Sequence, residues 1–62
     1  MIFESKYRRR IRGRIEDLVD EMGRMFTYEE IKTEFKKRGF RRPFRKVVIG
    51  ILEEIGKLVQ ER

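Results

Sequence analysis

The side chains of this chain that invite chemistry are its cations. The stretch KKRGFRRPFRK, residues 36–46, holds Lys36, Lys37, Arg38, Arg41, Arg42, Arg45 and Lys46 and no acid. Like charges crowded this closely repel, and they oppose a compact state unless something negative lies opposite. Arginine can read a guanine edge with two hydrogen bonds, and lysine holds a phosphate as a point charge. A second cluster, Lys6, Arg8, Arg9, Arg10, Arg12 and Arg14, packs six cations into nine residues. The chemistry on offer is recognition of anions.

Other chemistry is poorly supplied. The chain has no His and no Cys, which removes the usual zinc ligands, disulfides and most general bases. Ser5 is the sole serine and has no base beside it. The acids Glu16, Asp17, Asp20 and Glu21 fall on a helical stretch among cations and are expected on its exterior. A chain of 62 residues also leaves little room for a pocket. The expectation is a binding protein rather than an enzyme, with no catalytic residue, metal or cofactor.

Charge is arranged in blocks. Residues 1–14 carry six cations and one acid, residues 15–34 two cations and seven acids, and residues 35–48 seven cations alone. The net charge of +6 and the pI of about 10.2 therefore understate the polarity. Such a balance favours nucleic acid, an anionic membrane surface or an acidic protein as partner. With 39% hydrophobic and 45% charged residues, the chain is too apolar for a disordered tail and too charged for a membrane span. The longest uncharged run, residues 47–52, is far too short to cross a bilayer. Apolar residues precede the cations in MIFESKYRRR, the reverse of a secretory signal, so an intracellular protein is expected. Asn, Ala and Trp are absent too, while Arg, Lys, Glu and Ile abound, a composition resembling that of proteins from hot environments.

The elements that must position these cations read as three helices in one domain, residues 1–62. Tyr7, Ile11, Ile15, Leu18, Val19 and Met22 recur at helical spacing, predicting a first helix over residues 5–22 that stops at Gly23. Thr27 with Glu30 forms a capping-box pattern, opening a second helix over residues 28–38 that buries Ile31 and Phe35 and ends at Gly39. After a tight glycine-containing turn, Pro43 suits the first turn of a third helix. Phe44, Val47, Val48, Ile51, Leu52 and Ile55 supply its core register, with Gly56 as its end. Met25 and Phe26 suit a short extended segment, and the tail from residue 57 a short strand.

This order brings a resemblance. FTYEEIKTEFKKRGFRRPFRKVVIGILEEIGKLVQ resembles a winged helix-turn-helix DNA-binding domain. MFT resembles the family's first strand, and ILEEIGKLVQ resembles the end of its recognition helix with the first wing strand. The resemblance covers about residues 24–60, and the first helix fits the family's first helix. It implies a mainly α fold, a three-helix helix-turn-helix core with a short β segment. The chain stops at Arg62, so a minimal or truncated wing is expected. In brevity and composition the chain also resembles small regulators of archaea and archaeal viruses. The resemblance implies a double-stranded DNA-binding protein, a transcription regulator or chromatin-type binder, working as a homodimer.

In that reading Arg41 and Arg42 flank the start of the recognition helix, and Arg45 and Lys46 lie on its exposed side. Lys36, Lys37 and Arg38 hold phosphates. Helix dipoles favour acids at N-termini and cations at C-termini. The second helix obeys, but the first and third reverse the rule, so helix stability does not account for their charges. Against a DNA role for the first cluster, Arg12 can pair with Glu16 and Arg14 with Asp17. Ile49 and Gly50 fall opposite the core register, which leaves a thymine-methyl contact and a protein interface both open. Phe35 and Phe44 are expected in the core. For Phe3 and Phe40, core packing is preferred over base stacking. The alternatives are a winged-helix adaptor for an acidic protein partner, and an RNA-binding protein.

Overall fold

The computed structural model describes residues 4–60 and is mainly helical. It comprises α1 (Lys6–Met22), α2 (Tyr28–Lys37) and α3 (Arg45–Glu54). Phe3 and residues 61–62 of the expected tail strand lie outside the described residues.

Local chemistry explains the helix ends. Ser5 caps α1 by accepting a hydrogen bond from the Arg8 N–H at 3.1 Å. Thr27 and Glu30 form the full capping box at the start of α2. The chain leaves α2 through Gly39 at φ 78°, a left-handed conformation that costs a residue with a Cβ about 1 kcal/mol or more.

The core is one apolar cluster drawn from all three helices. Ile11, Ile15 and Leu18 come from α1, Ile31 and Phe35 from α2, and Val48, Ile51 and Leu52 from α3. Phe26, between α1 and α2, is fully buried among them. Its backbone forms a single parallel bridge to Leu58, donating to the Lys57 carbonyl at 2.8 Å and accepting from the Val59 N–H at 3.0 Å. Among the described residues this bridge stands alone, and no sheet forms. Among the described residues no helix is long and apolar enough to cross a membrane.

The passage from α2 to α3 departs from expectation. The glycine-containing turn forms at residues 38–39, but residues 40–44, without regular structure, follow it before α3 begins. Proline disfavours helical backbone in the residue before it, and Phe44 itself is extended at φ −69°, ψ 132°. Pro43 therefore lies outside α3, whose N-cap is Phe44. Pro43 is fully buried, whereas Phe44 is 67% exposed, so Phe44 is not a core residue. The core register starts only where the backbone turns helical. Its first fully buried position in α3 is Val48.

Candidate nucleic-acid interface

Two tyrosines fix the peptide that leads into α3. The Tyr28 hydroxyl, from α2, donates to the Pro43 carbonyl at 3.0 Å. The Phe44 N–H, in the same peptide unit, donates to the Tyr7 hydroxyl of α1 at 2.9 Å. Both polar groups of one peptide are thus held from two different helices. The Tyr7 ring packs against Phe44, with centroids 5.1 Å apart. The basic connection is therefore anchored where it enters α3.

That anchoring brings the two basic segments together. Arg10 and Arg14 of α1 and Arg41 and Arg42 of the connection line one cleft of about 350 Å³, with Tyr7, Ile11, Gly39 and Phe40. No acid borders it. Phe40 is half-buried, edge-on to Phe35 at 5.5 Å, and the Arg14 guanidinium lies 3.9 Å above its ring. Packing is therefore Phe40's main role. Phe40 and Arg42 also border a neighbouring cleft of about 480 Å³, with Lys32, Thr33 and Lys36. Shared Phe40 and Arg42 thus link the cations of α1 and the connection to Lys36 of α2, while Lys32 is paired with Glu29.

The remaining cations divide by partner. Arg45 and Lys46 are exposed in the first turn of α3, with Arg45 5.7 Å from the Tyr28 ring centroid. Lys6, Arg9 and Lys36 are exposed as well, and none of these five has an ion-pair partner among the described residues. Lys37 pairs with Glu34 at 3.5 Å. Arg38 is taken up by Glu21, at 2.9 and 3.3 Å, joining the C-terminal ends of α2 and α1. This hydrogen-bonded pairing with Arg38 holds the Glu21 carboxyl below its ordinary value.

Arg8 and Arg12 are taken up as well. Arg8 pairs with both Glu4 and Glu54. Arg12 bonds Glu4 at 3.0 Å and Glu54 at 2.5 Å. The pKa of Glu54 is lowered by the hydrogen bonds of Arg12 and then Arg8. For Glu4, partial desolvation pushes upward, but the hydrogen bonds from Arg12 and Arg8 together prevail and the net shift is downward. Neither the Arg12–Glu16 nor the Arg14–Asp17 pair forms. The reversed charges of α1 and α3 thus have a tertiary explanation in part. Cations early in α1 meet Glu54, late in α3, across the helix–helix contact.

Ile49 and Gly50 do not form an outward apolar face. Both are half-buried. Ile49 sits beside Tyr28, Arg45, Leu58 and Val59, and Gly50 faces the Arg8 guanidinium, 3.9 Å from where its Cβ would be. Sequence spacing missed the roles of Tyr7, Tyr28, Glu4 and Glu54. The helical repeat assigns Tyr7 to the core, and nothing local says that its hydroxyl reaches a peptide 37 positions away.

The arrangement can bind anions through forked guanidinium donors. Among the described residues no cluster of acids could hold a metal ion. Comparison with known proteins finds no family model, no curated protein and no solved structure that matches the chain.

Proposed function

We propose that this protein is a double-stranded DNA-binding protein of helix-turn-helix type, a transcription regulator or chromatin-type binder that acts by binding rather than catalysis. The observation that carries the reading is the acid-free cleft in which Arg10 and Arg14 meet Arg41 and Arg42. Four guanidiniums from segments far apart in the chain converge there, none of them in an ion pair among the described residues, and this suits the cleft to an external anion. Arg45 and Lys46 extend the same charge to the start of α3. Regularly spaced phosphates suit so extended a surface.

Approach by the N-terminal end of α3 fits its composition. Beyond Lys46 the helix offers Ile49 and Gly50, both half-buried, and then the acids Glu53 and Glu54. An acidic end would be repelled by the groove, so the first turn makes the contact, as in helix-turn-helix docking. A single parallel bridge, Phe26–Leu58, joins the two segments read as the first strand and the first wing strand. Such a footprint is small, and a homodimer on paired half-sites enlarges it. The alternative reading is a protein adaptor, whose surface would include the half-buried Ile49 in the groove it lines with Leu58 and Val59.

Fluorescence anisotropy against a mixed-sequence duplex over a range of salt tests the proposal. Each phosphate contact adds about −0.9 to the slope of log K against log salt, and a slope of about −4 to −6 is expected. No binding at about 100 mM salt, where non-specific binders still register, would overturn it.

A further inference from the structure

Phe44 is the most exposed large hydrophobic side chain among the described residues, at 67%. It stands beside the cationic cleft, joined to it through Tyr7, which borders the cleft and packs on the Phe44 ring. Arg41, Arg42, Arg45 and Lys46 lie on either side of it in the chain.

Packing on Tyr7 accounts for Phe44 only in part. Phe44 occupies the N-cap of α3 and makes no side-chain capping bond, whereas Ser5 and Thr27 cap the other two helices. A capping residue at that position would strengthen the helix, and a polar one would avoid exposing a phenyl ring to water. Phe44 is also held firmly. Its N–H is fixed by the Tyr7 hydroxyl, and the preceding carbonyl by that of Tyr28. An aromatic ring that is exposed, held at its backbone and flanked in the chain by cations has the chemistry to receive a nucleobase, with its π face against the base and the phosphates held beside it.

We propose that Phe44 is a base-contacting residue that stacks on a nucleobase made accessible at an unpaired or kinked step of DNA, while the neighbouring arginines hold the flanking phosphates. This rests on the DNA-binding reading and adds a preference to it. The protein should favour duplexes in which a base can leave the stack over those that are uniformly paired.

The test compares a fully paired duplex with the same duplex carrying one unpaired adenine, for the intact chain and for Phe44→Ala, Phe44→Leu and Phe44→Trp. The chain has no other tryptophan, so F44W carries a single reporter at the proposed contact. The native protein should bind the bulged duplex about tenfold more tightly, within the range for one base stacked on an aromatic side chain. F44A and F44L should lose that preference while binding the paired duplex as the native protein does. F44W fluorescence should be quenched more by the bulged duplex than by the paired one. Paired and bulged duplexes bound equally by the native protein, or a preference retained in F44A or F44L, would overturn the stacking role and leave DNA binding standing. Failure of the native protein to bind either duplex would overturn both. Loss of self-association in F44A, with DNA preference unchanged, would reassign Phe44 to a contact between two copies of the chain and overturn the proposal.

Discussion

Arg8 and Arg10 stand two residues apart, yet the fold gives them opposite tasks, and this yields a sharp prediction. Arg8 and Arg12 each lie between Glu4 and Glu54, so two cations and two carboxylates cancel locally. Arg10 and Arg14 open into the acid-free cleft. The double variants Arg8→Gln/Arg12→Gln and Arg10→Gln/Arg14→Gln lose the same formal charge, so any long-range effect of net charge is similar in both. Only the second pair removes groups placed to touch phosphate. With each contact worth about −0.9 in slope, Arg10→Gln/Arg14→Gln should flatten log K against log salt by about 1.8. Arg41→Gln/Arg42→Gln should do the same, because it empties the other half of that cleft. Arg8→Gln/Arg12→Gln should flatten it by less than about half as much, and should instead lower the Tm by leaving Glu4 and Glu54 without partners. Anisotropy titrations over a salt series measure the slopes, and circular dichroism checks that each variant folds. Equal flattening by the two α1 pairs would refute the division of cations drawn from the fold.

Two further outcomes test the framework of the site. Tyr28→Phe removes the donor to the Pro43 carbonyl and should cost about 1 kcal/mol in urea denaturation, whereas an unchanged midpoint would show that the peptide is held by other means. Acid should destabilise the fold in a defined direction. Glu54 is held below its ordinary value of 4.5 by Arg12 and Arg8, Glu21 by Arg38, and Glu30 chiefly by the Thr27 backbone N–H. A carboxyl whose folded pKa is depressed contributes stability that is fully present above its unfolded value and is lost as pH falls through the folded one. Tm should therefore be level above about 4.5 and fall below it, and Glu54→Gln should blunt the fall. A Tm that stays level in strong acid would contradict these pairings.

The sequence by itself determined the helices. The repeat of Ile11, Ile15 and Leu18 in α1, of Ile31 and Phe35 in α2, and of Val48, Ile51 and Leu52 in α3 predicts most of the buried set, because side chains three and four apart share a helix face, but Met22 of the same α1 series is 39% exposed, and Phe26 is buried from outside the helices. The Thr27–Glu30 box and the glycines after each helix also act within a few residues, and the structure places them as expected. The Pro43–Phe44 junction exceeded that local logic. Phe44 keeps helical spacing with Val48, but its backbone is still extended, so its side chain leaves the register and Pro43 takes the buried place.

Charge was legible only as a total. The string RRRIRGR shows that cations are crowded, but not which of them are neutralised. The partners of Arg8 and Arg12 include Glu54, more than forty positions along the chain. Arg38 likewise finds Glu21 on another helix. Coulomb attraction depends on distance in space, and helix packing alone sets that distance. The tertiary structure thus decided which arginines are committed to ion pairs in the fold and which have none among the described residues. It also brought Arg10 and Arg14 beside Arg41 and Arg42, as no spacing in the sequence required.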